Sequence, residues 1–246
     1  MTAPVFVAED FAAGGDGRYV LDGPEGRHAV SVKRLRAGED VVLTDGAGRW
    51  ADCVVLDTEG KDRLILRLEA VHEEPAEQPR VTVVQALPKG DRGELAVETM
   101  TEVGVDAIVP WAAARCITQW KGERGAKALG KWRATAREAG KQSRRVRFPE
   151  VAEAATSRQV AALLAGAEFA AVLHESGDTP LATADLPATG EIVLVVGPEG
   201  GVAPEELALF EEAGARAYRL GRSVLRTSTA GTAAAAALLA RTGRWS

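Results

Sequence analysis

The stretch 191–239 is the part of this 246-residue chain that most limits its fold. Its continuous apolar run at 192–196 is typical of a strand that is buried on both faces. Three glycines in the following loop, Gly197-Pro198-Glu199-Gly200-Gly201, permit positive φ angles and a close approach of the backbone to a ligand. A helix that starts at Pro204, a short strand at 217–220, a loop at 221–229 and an alanine-rich helix complete the stretch. The pattern therefore predicts strand, glycine loop, helix, strand, loop and helix.

The two loops of this stretch are expected at one edge of a sheet. If both strands are parallel, their carboxyl ends face the same way, and ligands of open α/β sheets bind at that edge. The glycine loop alone is equally well explained as an ordinary turn. The second loop reads LGRSVLRTSTA over 220–230 and combines glycine, arginine and hydroxyl residues more densely than a simple connection requires. Together the two loops predict a ligand site.

The chain before this stretch divides into two regions and a linker. Residues 1–72 contain short β-favouring runs separated by Gly and Asp turns, of which 45–48 is the clearest hairpin, and they predict a small β-barrel domain. Residues 73–80 are charged and contain two prolines, so we place a linker there. Residues 81–246 predict an α/β domain with a mostly parallel sheet, because strands alternate with helices. The predicted strands are 81–87, 107–111 and 170–173, and the predicted helices are 91–103 and 127–142.

Composition excludes several classes of function. No apolar run approaches the length of a membrane span, and the first twenty residues lack the regions of a signal peptide, so we expect a soluble, cytoplasmic protein. Cys53 and Cys116 share no CxxC spacing, and the three histidines do not cluster. We therefore expect neither a disulfide framework nor a metal site.

The net charge of −5 hides a strongly basic segment. Between Lys121 and Arg147, ten Lys or Arg residues stand against two Glu residues, so this segment carries about +8 and the rest of the chain about −13. Such a block is often only a solvated helix face. The partner that it matches best is a phosphate backbone, whose counterions it would release. Near the amino terminus, Arg27-His28 and 33–36 add further basic side chains that are open to the same two explanations.

Several blocks of the chain resemble one known family. GPEGG at 197–201 followed by the loop at 220–230 is similar to the cofactor-binding signature of the SPOUT class of S-adenosylmethionine-dependent RNA methyltransferases, in particular the bacterial 16S ribosomal RNA uracil-N3 methyltransferases. The resemblance covers nearly the whole chain. The chain departs from it at Ser228 and Lys141, where many members carry Glu. Further blocks in the family's order are His28 with Val32-Lys33-Arg34, TEVGVD at 101–106 and REAGKQSRR at 137–145.

The resemblance implies a fold, a cofactor and partners. It implies a SPOUT methyltransferase domain with a carboxyl-terminal trefoil knot, preceded by a PUA-like β-barrel. It also implies a homodimer that binds S-adenosylmethionine, holds no metal and acts on 16S ribosomal RNA of the small ribosomal subunit. The residues expected at the cofactor are Leu173, His174, Gly197, Pro198, Glu199, Gly200, Gly201, Leu220, Gly221, Val224, Leu225, Thr227, Thr229 and Ala230. The residues expected at the RNA are Arg27, His28, Lys33, Arg34, Arg36, Lys141, Arg144 and Arg145.

The expected chemistry is the transfer of a methyl group from a sulfonium to N3 of uracil. A cation such as Arg226 would stabilise the negative charge that develops on the base, and either Glu199 or Glu102 would accept the N3 proton. Because N3 lies on the pairing edge of uracil, the base must be unpaired or extruded to react. Two alternatives stay open. A SPOUT enzyme that methylates another ribosomal or transfer RNA nucleotide would share the loop motifs, and so would a noncatalytic RNA-binding protein of the same fold.

Overall fold

The chain forms two compact units. The structure is a computed structural model that describes residues 3–11 and 17–246. The described residues up to 76 form the first unit together with 140–148, and residues 77–139 and 149–246 form the second. Residues 140–148 therefore belong to the first unit, although in sequence they fall inside the range predicted for the second domain.

The first unit is built on a five-stranded sheet. Its strands are β1 (Val5–Val7), β2 (Arg18–Leu21), β3 (Asp40–Thr44), β4 (Arg49–Glu59) and β5 (Arg63–Glu73), in the order β1-β3-β4-β5-β2. Helix α1 (Gly23–Arg27) continues into a π-helical turn (His28–Val32) between β2 and β3. The hairpin predicted at 45–48 is confirmed, because β3 and β4 pair antiparallel on either side of it. Inward-facing side chains such as Leu43, Leu64 and Leu66 form the core of this unit.

Residues 140–148 are held to the β3–β4 hairpin by hydrogen bonds. The Thr44 hydroxyl donates to the Val146 carbonyl at 2.7 Å, and the Phe148 amide donates to the Gly46 carbonyl at 2.8 Å. Gly46 has a φ of 76°, and a side chain at this position would lie 2.8 Å from the Phe148 ring. Glycine is therefore required here both by the backbone conformation and by the close approach of the ring.

The second unit is built on a seven-stranded, wholly parallel sheet, as the alternation of strands and helices predicts. Its strand order is β10-β12-β9-β11-β6-β7-β8. The strands are β6 (Arg80–Ala86), β7 (Ala107–Trp111), β8 (Glu150–Val151), β9 (Phe169–Leu173), β10 (Thr179–Pro180), β11 (Glu191–Val196) and β12 (Arg216–Arg219). The helices are α2 (Arg92–Val103), α3 (Gly122–Gln142), α4 (Ser157–Ala165), α5 (Pro204–Glu212) and α6 (Thr227–Arg241), with a short 3-10 turn at Leu181–Thr183. Helix α4 and the two-residue strands β8 and β10 were not predicted.

Strand β11 lies at the centre of this sheet and explains the apolar run with which the sequence pattern begins. It is hydrogen-bonded to β9 on one side and β6 on the other. Ile192, Leu194 and Val196 belong to the core on one face of the sheet, and Val193 and Val195 belong to the core on the other. Every residue of the run is therefore buried, as expected for a parallel strand covered on both faces.

Helix α6 packs closely because its side chains are small. A side chain at Gly231 would lie 2.9 Å from the Met100 sulfur and 3.3 Å from Val83, so the glycine lets α6 approach both α2 and β6. The hydroxyls of Thr99 and Thr232 lie 2.7 Å apart and join α2 to α6. Although α6 is rich in alanine, no helix within the described ranges is long and apolar enough to cross a membrane.

Candidate active site

A cavity of about 760 Å³ opens at the carboxyl edge of the parallel sheet. The glycine loop that follows β11 and the loop that follows β12 both contribute to its lining. A smaller cavity of about 140 Å³ lies against the loop that follows β12 and shares part of this lining. The volume of the larger cavity is within the range of about 300–1,000 Å³ that small-molecule sites occupy. The sequence prediction that the two loops meet at one edge of the sheet is therefore confirmed by their geometry.

Most residues predicted at the cofactor line one of the two cavities. Thr229 does not; its side chain is exposed, and its hydroxyl donates to the Arg226 carbonyl in the first turn of α6. The predicted residues that line the larger cavity are Leu173, His174, Gly197, Pro198, Glu199, Gly200, Gly201, Val224, Leu225, Thr227 and Ala230. Leu220 and Gly221 line the smaller one.

The glycine loop is held from the side of β6 and β7. The backbone amide of Lys89, after β6, donates to Oε1 of Glu199 at 3.2 Å. Nη1 of Arg115, after β7, donates to the Gly200 carbonyl at 3.1 Å. Within the loop, Gly201 has a φ of 75° and its amide donates to the Pro198 carbonyl at 2.9 Å. These three hydrogen bonds restrain the shape of the loop.

A buried carboxylate, Glu206, connects the end of this loop to its neighbours. Its Oε1 accepts hydrogen bonds from the Ala114 amide at 2.8 Å and the Ser157 hydroxyl at 2.7 Å, and its Oε2 accepts one from the Ala203 amide at 3.3 Å. Nε1 of Trp111 donates to the Ser157 hydroxyl at 3.2 Å. Glu206 is only 6% exposed, so these bonds compensate for the burial of its charge.

The ring of His174 is held in one tautomer by Ser176. Its Nδ1 accepts a hydrogen bond from the Ser176 backbone amide at 3.2 Å, and the Ser176 hydroxyl oxygen lies 2.7 Å from the same nitrogen. Because an amide can only donate, Nδ1 carries no proton in this arrangement and the neutral ring carries its proton on Nε2. His174 lines both cavities.

Two of the three catalytic candidates lie at the cavity. Arg226 and Glu199 line it. Glu102 does not; it is exposed near the end of α2, whereas Arg92 at the start of the same helix lines the cavity. Ten residues of helix separate them, which is about 15 Å along the axis. Of the two candidate proton acceptors, Glu199 and Glu102, the geometry therefore places only Glu199 at the cavity.

Two arginines at the cavity were missed by the sequence prediction. Arg92 and Arg115 line it together with Arg226. None of the three forms an ion pair with a carboxylate among the described residues. The signal that could have found them is their position, because each follows a parallel strand, β6 or β7, at the edge where the two motif loops also lie.

The residues predicted at the RNA belong to the first unit and differ in exposure. Arg27, Lys33, Arg34, Arg36 and Arg144 are exposed, and His28 and Arg145 are partly buried. The His28 ring packs edge-on against Phe6, with centroids 5.8 Å apart. Arg34 and Arg144 have positive φ angles of 57° and 63°, which are uncommon for residues other than glycine.

The prediction that Lys141 contacts RNA is not supported by its position. Its side chain is 6% exposed, and its Nζ lies 2.9 Å from Oε1 of Glu25 in a buried ion pair. The Val7 amide donates to the other oxygen of this carboxylate at 3.3 Å. Lys141 therefore acts as an internal cation of the first unit. The sequence did not show this, since a lysine in a basic block is normally solvated.

The chain has no candidate for a resident metal within the residues that the structure describes. Among them, no group of three or more His, Cys, Asp or Glu side chains is arranged to hold an ion. Cys53 and Cys116 are both free thiols. Burial raises the pKa of Cys53 to about 12, and burial also raises the pKa of Cys116. Neither thiol has the lowered pKa of a nucleophilic cysteine.

Comparisons with known proteins identify the class. The model of an RNA methyltransferase domain family matches residues 75–239, and that of an RNA methyltransferase PUA domain matches residues 21–69. A methyltransferase from Legionella pneumophila, solved with bound cofactor SAM, superposes with a TM-score of 0.85 at 27% identity, over 98% of each chain. The predicted fold, a parallel α/β methyltransferase domain of SPOUT type that follows a PUA domain in the sequence, is thereby confirmed.

The particular family follows from sequence relatives. Ribosomal RNA small subunit methyltransferase E from Mycobacterium tuberculosis is 46% identical over 230 residues, which are 92% of this chain and 87% of the relative. The protein of the same name from Bacillus subtilis is 29% identical over 220 residues, 86% of each chain. One from Neisseria gonorrhoeae, solved with S-adenosyl methionine bound, has a TM-score of 0.81 at 28% identity, over 98% of each chain. The chain belongs to the ribosomal RNA small subunit methyltransferase E family.

Proposed function

We propose that this protein methylates N3 of a uridine in 16S ribosomal RNA, with S-adenosylmethionine as the methyl donor. The observation that carries the proposal is the cavity at the carboxyl edge of the sheet, where both motif loops meet three arginines that have no carboxylate partner among the described residues. Family membership adds the ribosomal RNA substrate and the donor, since a relative is solved with S-adenosyl methionine.

The lining fits the donor chemically. Leu173, Val196 and Leu225 supply an apolar wall of the kind that an adenine ring requires, and Gly197 places backbone without a side chain beside it. The Nε2–H of His174 supplies a hydrogen-bond donor on the same side. When bound, S-adenosylmethionine supplies an electrophilic methyl group.

The residues of the chain have two tasks in this reaction. Arg226 places positive charge at the cavity wall, where it stabilises a uracil imide that has lost its N3 proton. Glu199 is the carboxylate that we assign to accept this proton. Its Oε1 already accepts the Lys89 amide, which leaves Oε2 for the base. Since N3 belongs to the pairing edge, the uridine enters the cavity unpaired.

The first unit is proposed as an additional RNA-binding surface. Five exposed basic residues lie on it: Arg27, Lys33, Arg34, Arg36 and Arg144. Arg27 belongs to α1, and the buried pair of Glu25 and Lys141 joins α1 to the last turn of α3, which is followed directly by the turn that carries Arg144. Basic side chains on adjacent elements of one unit suit the phosphates of a folded RNA.

The proposal includes a homodimer, a trefoil knot and a cytoplasmic location. Helices α2 and α6 pack on each other, and their outward side chains are mostly small, as at Ala233 and Ala236, or apolar, as at Leu95. Such a face suits a second copy of the chain. Light scattering at micromolar concentration tests the dimer, and a purely monomeric species would contradict it.

The trefoil knot is proposed for the segment from the glycine loop to α6. The cytoplasmic location is proposed because ribosomal RNA is available there.

The decisive experiment is mass spectrometry of nucleosides from 16S ribosomal RNA. We expect 3-methyluridine to be lost in cells that lack the protein and restored by the wild-type gene but not by Arg226→Ala. Loss of a ribose-methylated or differently methylated nucleoside would instead identify another SPOUT activity. An unchanged nucleoside profile, together with RNA binding by the purified protein, would identify a noncatalytic role.

A further inference from the structure

We infer that Arg92 and Arg115 bind phosphate groups of the nucleotide that enters the cavity, and thereby position it. This inference rests on the proposed function, because it assigns a part of the same cavity to the RNA. Neither residue belongs to a motif that the sequence pattern singled out. Both are positioning residues in this scheme, since the phosphates that they bind do not react.

The strand order divides the cavity into two halves. The glycine loop follows β11, which lies in the middle of the sheet. On the side of β9 and β12 the lining includes the apolar side chains Leu173, Val224 and Leu225 together with Arg226, and the smaller cavity lies there. On the side of β6 and β7 the lining contains Arg92 and Arg115. Arg92 and Arg115 therefore lie on the other side of the glycine loop from the apolar side chains that suit an adenosine, and we call their side the basic half of the cavity.

The basic half has the groups that an anion requires. Arg92 is the first residue of the 12-residue helix α2, whose free amides add positive potential at this end. Arg115 uses Nη1 on the Gly200 carbonyl at 3.1 Å, which orients its guanidinium and leaves further N–H groups for a ligand. Neither arginine has a carboxylate ion-pair partner among the described residues, although the chain carries 35 Asp and Glu residues.

The neighbouring wall suits a base rather than a second cofactor group. Pro204 and Leu207, from the start of α5, line the same cavity and present apolar surface. A nucleotide combines a flat base with phosphates, so it matches apolar wall and guanidinium groups together. Arginine is also the side chain whose planar fork fits a phosphate by two hydrogen bonds.

The test compares Arg92→Ala and Arg115→Ala with Arg158→Ala. Arg158 is an exposed arginine on α4 that lines neither cavity, so its removal changes the charge of the second unit equally. Binding of a fluorescent single-stranded RNA that contains the target uridine, not yet methylated, is measured by anisotropy over a series of salt concentrations. Binding of S-adenosylmethionine is measured by calorimetry on the same preparations, and folding by circular dichroism.

We expect each of the two variants to bind RNA roughly tenfold more weakly than the parent, because one charge-assisted contact is lost. The slope of log K against log salt should fall by about 0.7 for each phosphate contact removed. Compared with Arg115→Ala, Arg115→Lys should restore most of the salt slope, since it keeps the charge. It should not restore the full affinity for RNA. Affinity for S-adenosylmethionine should be unchanged in Arg92→Ala, and Arg158→Ala should match the parent throughout. Arg115→Ala also loses its hydrogen bond to the Gly200 carbonyl, so we expect a weaker affinity for S-adenosylmethionine in this variant, and the salt slope is its test of RNA contact.

Two results would overturn the inference. One is a salt slope that equals that of the parent in both Arg92→Ala and Arg115→Ala. The other is a loss of S-adenosylmethionine binding in Arg92→Ala, which would show that this arginine holds the donor instead. Failure of the proposed function would be a separate result. It would appear as a methyl group at an atom other than N3 when the RNA product of the parent enzyme is analysed.

Discussion

The carboxylate of Glu206 accepts a hydrogen bond from the Ser157 hydroxyl at 2.7 Å, although 49 residues separate them in the sequence. The same carboxylate accepts the amides of Ala114 and Ala203. One buried side chain on α5 thus joins the loop after β7, the start of α4 and the end of the glycine loop. The shape of the cavity edge depends on it, because two of these three segments line the cavity or lead directly into it.

Glu206→Ala is expected to lower the free energy of unfolding by about 2–4 kcal/mol, because each buried donor left without an acceptor costs about 1–3 kcal/mol. Ser157→Ala removes the bond to Glu206 and also leaves the Trp111 Nε1–H without its acceptor, so it should cost about 1–2 kcal/mol. Glu206→Gln keeps the shape and one acceptor oxygen, so its loss should lie between the two. Urea unfolding of the three variants measures this order. Equal stability of Glu206→Ala and Ser157→Ala would contradict the role of the carboxylate as a shared acceptor.

A second prediction concerns Arg244, which closes the carboxyl-terminal end of the second unit. Its guanidinium pairs with Asp106 and Glu77, and its Nη1 also donates to the Pro79 carbonyl at 3.2 Å. Burial by itself lowers the pKa of Arg244, but the hydrogen bonds and charge of Asp106 and then of Glu77 outweigh it, so the pKa is raised. Arg244→Ala leaves Asp106 nearly buried without its cation and should cost about 3–5 kcal/mol in unfolding free energy.

The matched control is again Arg158→Ala, which removes an exposed arginine and should change stability by less than about 0.5 kcal/mol. Arg244→Lys keeps a charge but cannot form the same set of bonds, so it should recover only part of the loss. If Arg244→Ala unfolds at the same urea concentration as Arg158→Ala, this ion-pair network contributes little to stability.

The thiol of Cys53 gives a prediction about pH. Burial raises its pKa from 9.0 to about 12 in the folded state. Between these values the unfolded thiol loses its proton while the folded one keeps it, so the folded state is progressively disfavoured as pH rises above 9. Below pH 9 the thiol is protonated in both states, so the stabilising contribution of Cys53 to the free energy of unfolding is fully present. Cys53→Ala should therefore show a shallower loss of stability between pH 9 and 11 than the parent, measured by urea unfolding at each pH.

Labelling checks the same thiol directly. At pH 8 iodoacetamide should modify Cys53 of the folded protein very slowly and Cys53 of the urea-unfolded protein at the ordinary rate, because only the thiolate reacts. Cys116 is the internal comparison, since it is less buried and its pKa is also raised. Fast labelling of Cys53 in the folded protein would contradict the assigned pKa.

The parts of the fold that sequence could predict are those where a local pattern has one physical meaning. An apolar run such as 192–196 is buried on both faces in any α/β sheet, and glycines at 197, 200 and 201 permit a tight loop after it. Helix α4 also had a local signal that was missed. Thr156 and Gln159 form a capping box at its start, with the Gln159 backbone amide donating to the Thr156 hydroxyl at 3.4 Å.

The parts that sequence could not predict depend on contacts between distant segments. Nothing local shows that residues 140–148 join the first unit, or that Lys141 pairs with Glu25 across 116 positions. Likewise, the sequence indicates only that Glu206 is an acidic residue in the first turn of a helix, and the fold is needed to show which amides donate to it. Candidate site residues within the two loops were therefore largely predictable, whereas Arg92 and Arg115 required the strand order.

Gly231 predicts how tightly α6 must pack. A Cβ atom there would lie 2.9 Å from the Met100 sulfur and 3.3 Å from Val83, so Gly231→Val should destabilise the protein by about 2–3 kcal/mol through overpacking. Ala162→Val on the exposed side of α4 is the control, away from the proposed dimer face, and should cost only about 0.5 kcal/mol through helix propensity. Thermal unfolding measures both. Equal costs would mean that the interface between α6 and its neighbours adjusts freely.

Arg34 and Arg144 predict a trade-off between stability and RNA binding. Both are exposed, and both adopt the left-handed conformation, which costs a residue other than glycine about 1–2 kcal/mol. Glycine avoids this cost and loses only about 0.5–1 kcal/mol of backbone entropy, so each Arg→Gly variant should be as stable as the parent or more stable by up to about 1 kcal/mol. If the side chains contact phosphates, the same variants should bind RNA more weakly and with a lower salt slope.

Arg→Ala variants at these two positions separate the two effects, because they remove the side chain but keep the strained backbone. They should lose RNA affinity as the glycine variants do, without any gain in unfolding free energy. Anisotropy with the same single-stranded RNA and urea unfolding measure the two quantities on one preparation. Strain at an exposed arginine persists only where something else favours that residue, and here the proposed benefit is the RNA contact. Glycine variants that bind RNA as tightly as the parent at every salt concentration would show that Arg34 and Arg144 serve another purpose.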